Sequence, residues 1–268
     1  MKVALKIKNK IGQTPAGRVF TYQDLGISNN EYRAAAKALE RLVTKKNIKR
    51  ISPGLFFKPK KTIFGELRPS EREQLKPYLF NGKKRIAYIT GAALFNKMSL
   101  TTQVPTDIDL ASRVKKPSYK IGNIEVRWIK SYVDITSQNY ALLEILDALK
   151  DFKIIPDLDK KTVIKRMTAI IAGLKDSKKK CLVKYSLHYP PRARALLGAL
   201  LESIYMKEQA TSLDSFMIRC VASNQICPMA VGKKENLNQL KQSLNPLTTF
   251  NISLTQEILP TSKKWFIK

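Results

Sequence analysis

The sequence predicts an α+β fold, on three observations. Apolar residues recur at helical spacing near the N-terminus and again through the second half of the chain. Short β-like runs bounded by Gly, Pro and Asn lie between these regions. The composition, 44 % hydrophobic and 26 % charged over 268 residues, is that of a chain able to bury a core. Disorder of the whole chain is thereby excluded. The length suggests roughly two domains, at about 100–200 residues each.

The elements follow in order. Val3, Leu5, Ile7 and Ile11 form a short apolar face broken by Lys6, Lys8 and Lys10. This predicts a helix stopped by Gly12, Pro15 and Gly17. Val19–Thr21 reads as a brief β step. Thr21 then caps a short helix over Tyr22–Leu25 that ends at Gly26. Ser28 or Asn29 caps the next helix, where Tyr32, Ala35, Ala36, Leu39, Leu42 and Val43 recur at three- and four-residue steps. Its other face presents Asn30, Arg33, Lys37 and Arg41. Ala34, Ala35 and Ala36 keep it slim, which suits close approach to a groove. Strands over Asn47–Ser52 and Leu55–Lys58 flank Pro53-Gly54, a usual filling of a tight turn. This hairpin carries Lys49, Arg50, Lys58, Lys60 and Lys61.

A short helix, a turn, a capped helix and a basic hairpin together predict a winged helix-turn-helix over residues 1–61. The same segment carries 15 Lys+Arg against 3 Asp+Glu, a net of +12 within a whole-chain charge of +28. A positive field this dense attracts phosphate backbones. Winged helices also serve as protein-interaction modules, and basic helix faces are often merely solvated. The joint occurrence of cap, slim helix, basic face and basic hairpin favours duplex DNA. The candidate DNA-binding residues are Asn29, Asn30, Arg33, Lys37, Arg41, Arg50, Lys58 and Lys60. Arg33 is the base-reading candidate, since a guanidinium bonds a guanine edge bidentately, and Asn30 can read adenine likewise. Lys37, Arg41 and the wing cations are assigned to phosphate.

Residues 62–268 form the second predicted region: an α+β part over 62–135, a helical part over 136–206 and a tail over 207–268. Ser70 begins a charged helix, Glu71–Tyr78, ended by Asn81-Gly82. Ile86–Thr90 is strand-like and Ala92–Met98 helix-forming. Thr106–Leu110, Ser118–Ile121 and Ile124–Ile129 are strand candidates, the last two joined at Gly122-Asn123. Thr90-Gly91-Ala92 followed by Asp107-Ile108-Asp109-Leu110 raises a nucleotidyltransferase reading. Carboxylates at alternate strand positions share a face and can hold a pair of Mg²⁺ ions, with Asp134 as a possible third. The usual Gly-Ser is Gly-Ala here, however, and alternating polar residues on an exposed strand explain the pair without catalysis. No catalytic, cofactor-binding or metal-ligating residue is therefore assigned, and the expectation is a protein that is not an enzyme.

Leu142, Leu143, Ile145, Leu146 and Leu149 repeat at helical spacing. Asp157 or Asp159 caps a helix carrying Val163, Ile164, Met167, Ile170, Ile171 and Leu174. Cys181, Leu182 and Leu187 suggest another. Pro190-Pro191 opens a strong one through Ala193, Leu196, Leu197, Leu200 and Ile204. His188 has no visible triad partner or metal spacing and reads as a packing or capping residue. Cys220-x6-Cys227 is a poor zinc pattern without further ligands. Trp265-Phe266 is expected to dock on the body or on a partner. Three cysteines argue against a disulfide framework and for a reducing cytoplasm. Met1–Gly12 lacks a signal-peptide core. No apolar run approaches the roughly 18 residues of a membrane span, so no membrane partner is expected.

Several motifs recur in order: Gly54-Leu55-Phe56-Phe57-Lys58-Pro59, Phe64-Gly65-Glu66-Leu67-x-Pro69-Ser70 and Ile89-Thr90-Gly91-Ala92, then Leu100-Thr101-Thr102-Gln103-Val104-Pro105 and Ile121-Gly122-Asn123. Tyr189-Pro190-Pro191-Arg192-Ala193-Arg194-Ala195-Leu196-Leu197-Gly198 and Leu244-Asn245-Pro246-Leu247-Thr248-Thr249 follow. On these motifs the chain resembles the AbiEi-type antitoxins of bacterial abortive-infection systems. The resemblance implies an N-terminal winged helix that represses its own operon by binding double-stranded operator DNA. It also implies a C-terminal region that counteracts a nucleotidyltransferase toxin, in the bacterial cytoplasm and without cofactor. By position it carries over to Asn30, Arg33 and Lys37 on the helix, and to Arg50 and Lys58 on the wing. It places no toxin-contact residue. The Asp107/Asp109 pair departs from the family pattern.

Overall fold

The computed structural model describes residues 3–63, 65–114, 118–121, 124–157, 159–216, 229–252 and 254–267. The chain folds as α+β, in two compact units. The first holds residues 1–88, 106–130 and 135–137; the second holds 89–105, 131–134 and 138–268.

The first unit begins with α1 (Val3–Gln13) and β1 (Val19–Thr21). A one-turn 3-10 helix, Asn29–Glu31, leads into α2 (Tyr32–Thr44). The strands β2 (Lys49–Ser52) and β3 (Leu55–Phe57) complete a sheet of order β1-β3-β2. Both pairings are antiparallel, with Val19 opposite Phe57 on one side of β3 and Lys49 opposite Phe57 on the other. The order α1-β1-α2-β2-β3 is winged-helix connectivity with the middle helix reduced to a turn. Its core joins Ile7 and Ile11 of α1, Ala35, Ala38 and Leu39 of α2, and Phe20, Leu25, Ile48 and Phe56. The two helices meet along faces spaced by three and four residues, as helical geometry requires.

One predicted element does not form. Tyr22–Leu25 is a single turn, not a helix. The Leu25 N–H donates to the Thr21 carbonyl at 3.3 Å, and the Gly26 N–H to that of Gln23 at 2.9 Å. The Asp24 carboxylate accepts from both the N–H and the hydroxyl of Thr21, at 2.8 and 2.9 Å. Gly26, at φ +61°, then turns the chain away. A segment this short gains too few internal hydrogen bonds to continue as helix.

After β3 comes a second hairpin, β4 (Lys60–Thr62) with β5 (Gly65–Leu67). The helix α3 (Glu71–Leu79) is capped by the Ser70 hydroxyl, which accepts from the Glu73 N–H. A small hairpin, β6 (Phe80–Asn81) and β7 (Lys84–Arg85), precedes β8 (Ala87–Thr90). α4 (Gly91–Lys97) follows. Then come β9 (Asp107–Ser112), β10 (Tyr119–Ile121) and β11 (Ile124–Lys130). The sheet order is β10-β11-β9-β8. β10 and β11 are antiparallel, as the expected hairpin requires, with Ile121 opposite Ile124. Its turn, Gly122-Asn123, lies outside the described residues. β11 runs parallel to β9, and Arg127 stands opposite Asp109.

The second unit is mainly helical. It comprises α4, α5 (Tyr140–Lys150), α6 (Lys160–Ala172), α7 (Asp176–Ser186), α8 (Pro191–Phe216) and α9 (Met229–Gln242). Asp159 is the cap of α6, accepting from the Thr162 N–H at 3.2 Å. Pro191 occupies the first position of α8, where its missing N–H costs nothing. Ala193, Leu196, Leu197, Leu200 and Leu201 of α8 are all fully buried, so α8 is the central helix. The C-terminal turn Ser262–Trp265 packs against it. Trp265 therefore docks on the protein's own body.

Candidate nucleic-acid interface

α2 separates its two faces cleanly. Ala35, Ala38 and Leu39 are buried, whereas Arg33, Lys37 and Arg41 are exposed. Their four-residue spacing sets the three cations in one line along the helix. Asn29 and Asn30 are exposed in the 3-10 turn at its start. Five of the eight predicted DNA-binding residues thus share one uncovered edge.

The start of α2 is held firmly. The Ser28 N–H and hydroxyl donate to the Glu31 carboxylate at 3.2 and 2.9 Å. These bonds, the backbone one foremost, hold the Glu31 carboxyl below the usual carboxylate range. Lys6 of α1 stands 3.6 Å from Glu31 and donates to the Gly26 carbonyl at 2.8 Å. Tyr32, half-exposed, packs its ring 4.7 Å from that of Tyr22, which meets Phe56 edge-on at 5.8 Å. Burial first, and then Tyr32, pushes the Tyr22 phenol above its usual value. A shallow groove of about 820 Å³ runs past these rings and is flanked by Arg18, Lys76 and Lys83.

The wing is only partly as expected. Arg50 is exposed on β2, its Nε donating to the Ser52 carbonyl at 3.4 Å. Lys60 is exposed on β4. Lys49 is paired with Glu66 of β5. Lys58 has a different task from the phosphate contact expected of it. Its ammonium donates to the carbonyls of Ile11, Gly12 and Thr14 at 3.3, 3.1 and 3.0 Å. A cation at a helix C-terminus satisfies carbonyls that lack internal partners and opposes the negative end of the helix dipole. All three ammonium hydrogens are thereby engaged. The sequence reading passed over Lys45 and Lys46, both exposed just past α2. The available signal was their adjacency to the end of the cationic helix.

The carboxylate pair has a cation of its own. Asp107 and Asp109 do share a face, as alternation on a strand requires. Arg127 Nε donates to Asp109 at 2.9 Å, and its Nη1 lies 3.6 Å from Asp107. The Asp109 hydrogen bond, first among the causes, holds Arg127 above its usual value. Among the described residues no cluster of three or more His, Cys, Asp or Glu is placed to hold a metal. His188 and Cys181 are exposed, so His188 is not a core packing residue. Cys220 and Cys227 lie outside the described residues.

Fold and face together define an α+β protein with an N-terminal winged helix that presents an uncovered basic edge. Residues 6–182 match the DUF6088 family, a family of unknown function, and the chain belongs to it. No curated protein matches the chain. Among solved structures it is similar to the crystal structure of RV2827C protein from Mycobacterium tuberculosis, at 12 % identity and a TM-score of 0.45. That match covers 100 % of this chain and 91 % of the other. Among the described residues no helix is long and apolar enough to cross a membrane.

Proposed function

We propose that the protein binds duplex DNA through the exposed edge of α2 and the wing, and that it is the antitoxin and autorepressor of a bacterial toxin–antitoxin operon. One observation carries the DNA reading: Arg33, Lys37 and Arg41 stand in line on a slim helix whose opposite face is buried. Arg33 and Asn30 face base edges in the major groove, while Lys37, Arg41, Arg50 and Lys60 hold phosphates. The antitoxin role is supported by the ordered motifs shared with AbiEi-type antitoxins. Its opponent is a nucleotidyltransferase toxin encoded nearby, and its compartment is the bacterial cytoplasm. A nucleotidyltransferase activity of this chain itself is disfavoured, because Arg127 already pairs with Asp109 and stands 3.6 Å from Asp107.

The test is a gel-shift titration of the full chain on the DNA upstream of its own gene, at several salt concentrations. Affinity should fall steeply as salt rises. Flat salt dependence would contradict phosphate-dominated binding. Co-expression with the neighbouring reading frame tests neutralisation: growth should be rescued by the full chain, and failure of rescue removes the antitoxin role while leaving DNA binding intact.

A further inference from the structure

The β4–β5 hairpin is a second projection of the first unit, after the β2–β3 hairpin, and carries the Lys60 assigned above to phosphate. Its tip residue Ile63 is 93 % exposed, and Leu67 on its far strand is half-exposed. The shank bears Lys60 and Lys61, both exposed. Where the strands meet the turn, the Thr62 hydroxyl donates to the Gly65 carbonyl at 2.8 Å, and Gly65 takes φ +107°. Glu66 pairs with Lys49 of β2, and the positive charges of Lys61 and Lys46 also act on it. The hairpin therefore stands beside the C-terminal end of α2, in the same compact unit as the basic edge.

An exposed apolar side chain beside cations fits a surface that is negative outside and apolar within. The minor groove of duplex DNA is such a surface: phosphates line its rims, and stacked bases lie between them. We propose that Ile63 is a wedge that enters the minor groove beside the α2 site and partly unstacks a base step, kinking the duplex while Lys60 and Lys61 hold the flanking phosphates. This rests on the DNA-binding reading above. A flexible pyrimidine–purine step is the preferred target, because it unstacks most easily.

The test uses the full chain and a duplex of about 30 base pairs from the DNA upstream of its own gene, long enough to report a bend. Fluorophores on its ends report bending, and 2-aminopurine replaces adenine at each TpA step in turn. Wild type should brighten 2-aminopurine at one step and shorten the end-to-end distance. Ile63→Ala should abolish both signals and weaken binding about fivefold, the scale of losing the burial of about one methyl group. Ile63→Phe should retain both. Lys60→Ala should weaken binding and keep the brightening. If Ile63→Ala bends and brightens DNA like wild type while Arg33→Ala binds poorly, the wedge is wrong and the DNA reading stands. If wild type does not bind the duplex at low salt, the DNA reading fails and takes the wedge with it. If Ile63→Ala leaves the DNA signals intact but loses binding to phosphatidylglycerol vesicles, the tip serves a lipid surface and the wedge is overturned.

Discussion

Trp265 occupies the space that a side chain on Gly198 would need. A Cβ built on Gly198 would lie 2.1 Å from the six-membered ring of Trp265. The indole is fully buried, and its Nε1 donates to Glu202 one turn along α8 at 2.6 Å. The C-terminal turn thus closes on α8 at the one position of that helical run without a side chain.

Gly198→Ala should therefore destabilise the protein by about 2–3 kcal/mol through overpacking, although Ala is favoured over Gly in a helix by about 1 kcal/mol. Trp265→Ala alone should cost about 3–5 kcal/mol. In the Trp265→Ala background, Gly198→Ala should become neutral or stabilising. Thermal denaturation of the four proteins checks this. An additive pair would show that the two residues do not meet.

Lys58 should behave as a residue of the fold. Lys58→Ala removes the cap on the α1 carbonyls and should cost about 1–2 kcal/mol of stability. DNA affinity of the folded variant should change less than that of Arg33→Ala. Urea denaturation paired with gel shift separates the two effects.

Arg33→Ala should weaken promoter binding by about 1–3 kcal/mol and relax base preference at one position of the site. Lys37→Ala should weaken binding to every duplex alike and reduce the salt slope by about one. Competition with randomised duplexes distinguishes the two. An Arg33→Ala protein with wild-type affinity would remove α2 from the groove.

In the second unit, the Asp147 carboxylate is buried and accepts from the Thr90 hydroxyl at 2.8 Å, while Lys150 stands 3.7 Å from Asp147 and 3.1 Å from Asp151. Burial by itself lowers the Lys150 ammonium, but the two carboxylates outweigh it and hold it above its usual value. The stability this confers is present below the unfolded lysine value and is lost as pH rises through the folded one. Lys150→Ala should cost about 3 kcal/mol, the lower part of the range for a broken buried pair, because Thr90 still serves Asp147. It should also flatten the alkaline limb of the stability–pH curve, as chemical denaturation at a series of pH values would show.

Glu31 gives the opposite limb. Its folded carboxyl is depressed chiefly by the Ser28 N–H. Its contribution is therefore present above the unfolded carboxylate value of about 4.3 and is lost as pH falls through the folded value. Glu31→Gln should reduce the acid sensitivity of the winged helix, and an unchanged acid limb would show that the Ser28 bonds are not kept in solution.

The sequence by itself determined the elements whose signal is local. α2 was legible because its apolar residues repeat at helical steps and its cations fall on the remaining arc. The Pro53-Gly54 hairpin, the Ser70 cap and the Pro191 start were legible because a turn or cap is specified by adjacent residues. Even the shared face of Asp107 and Asp109 follows from strand alternation alone. Tertiary structure decided which partner each polar group meets. Lys58 reads as a wing cation, but its three acceptors lie 44 to 47 residues upstream. Arg127 reaches the aspartates only because β11 pairs parallel with β9. Trp265 finds Gly198 only once the chain end folds back onto α8. Periodicity and capping are properties of neighbours along the chain, whereas a charge or an indole is assigned by whatever the fold brings within a few ångströms.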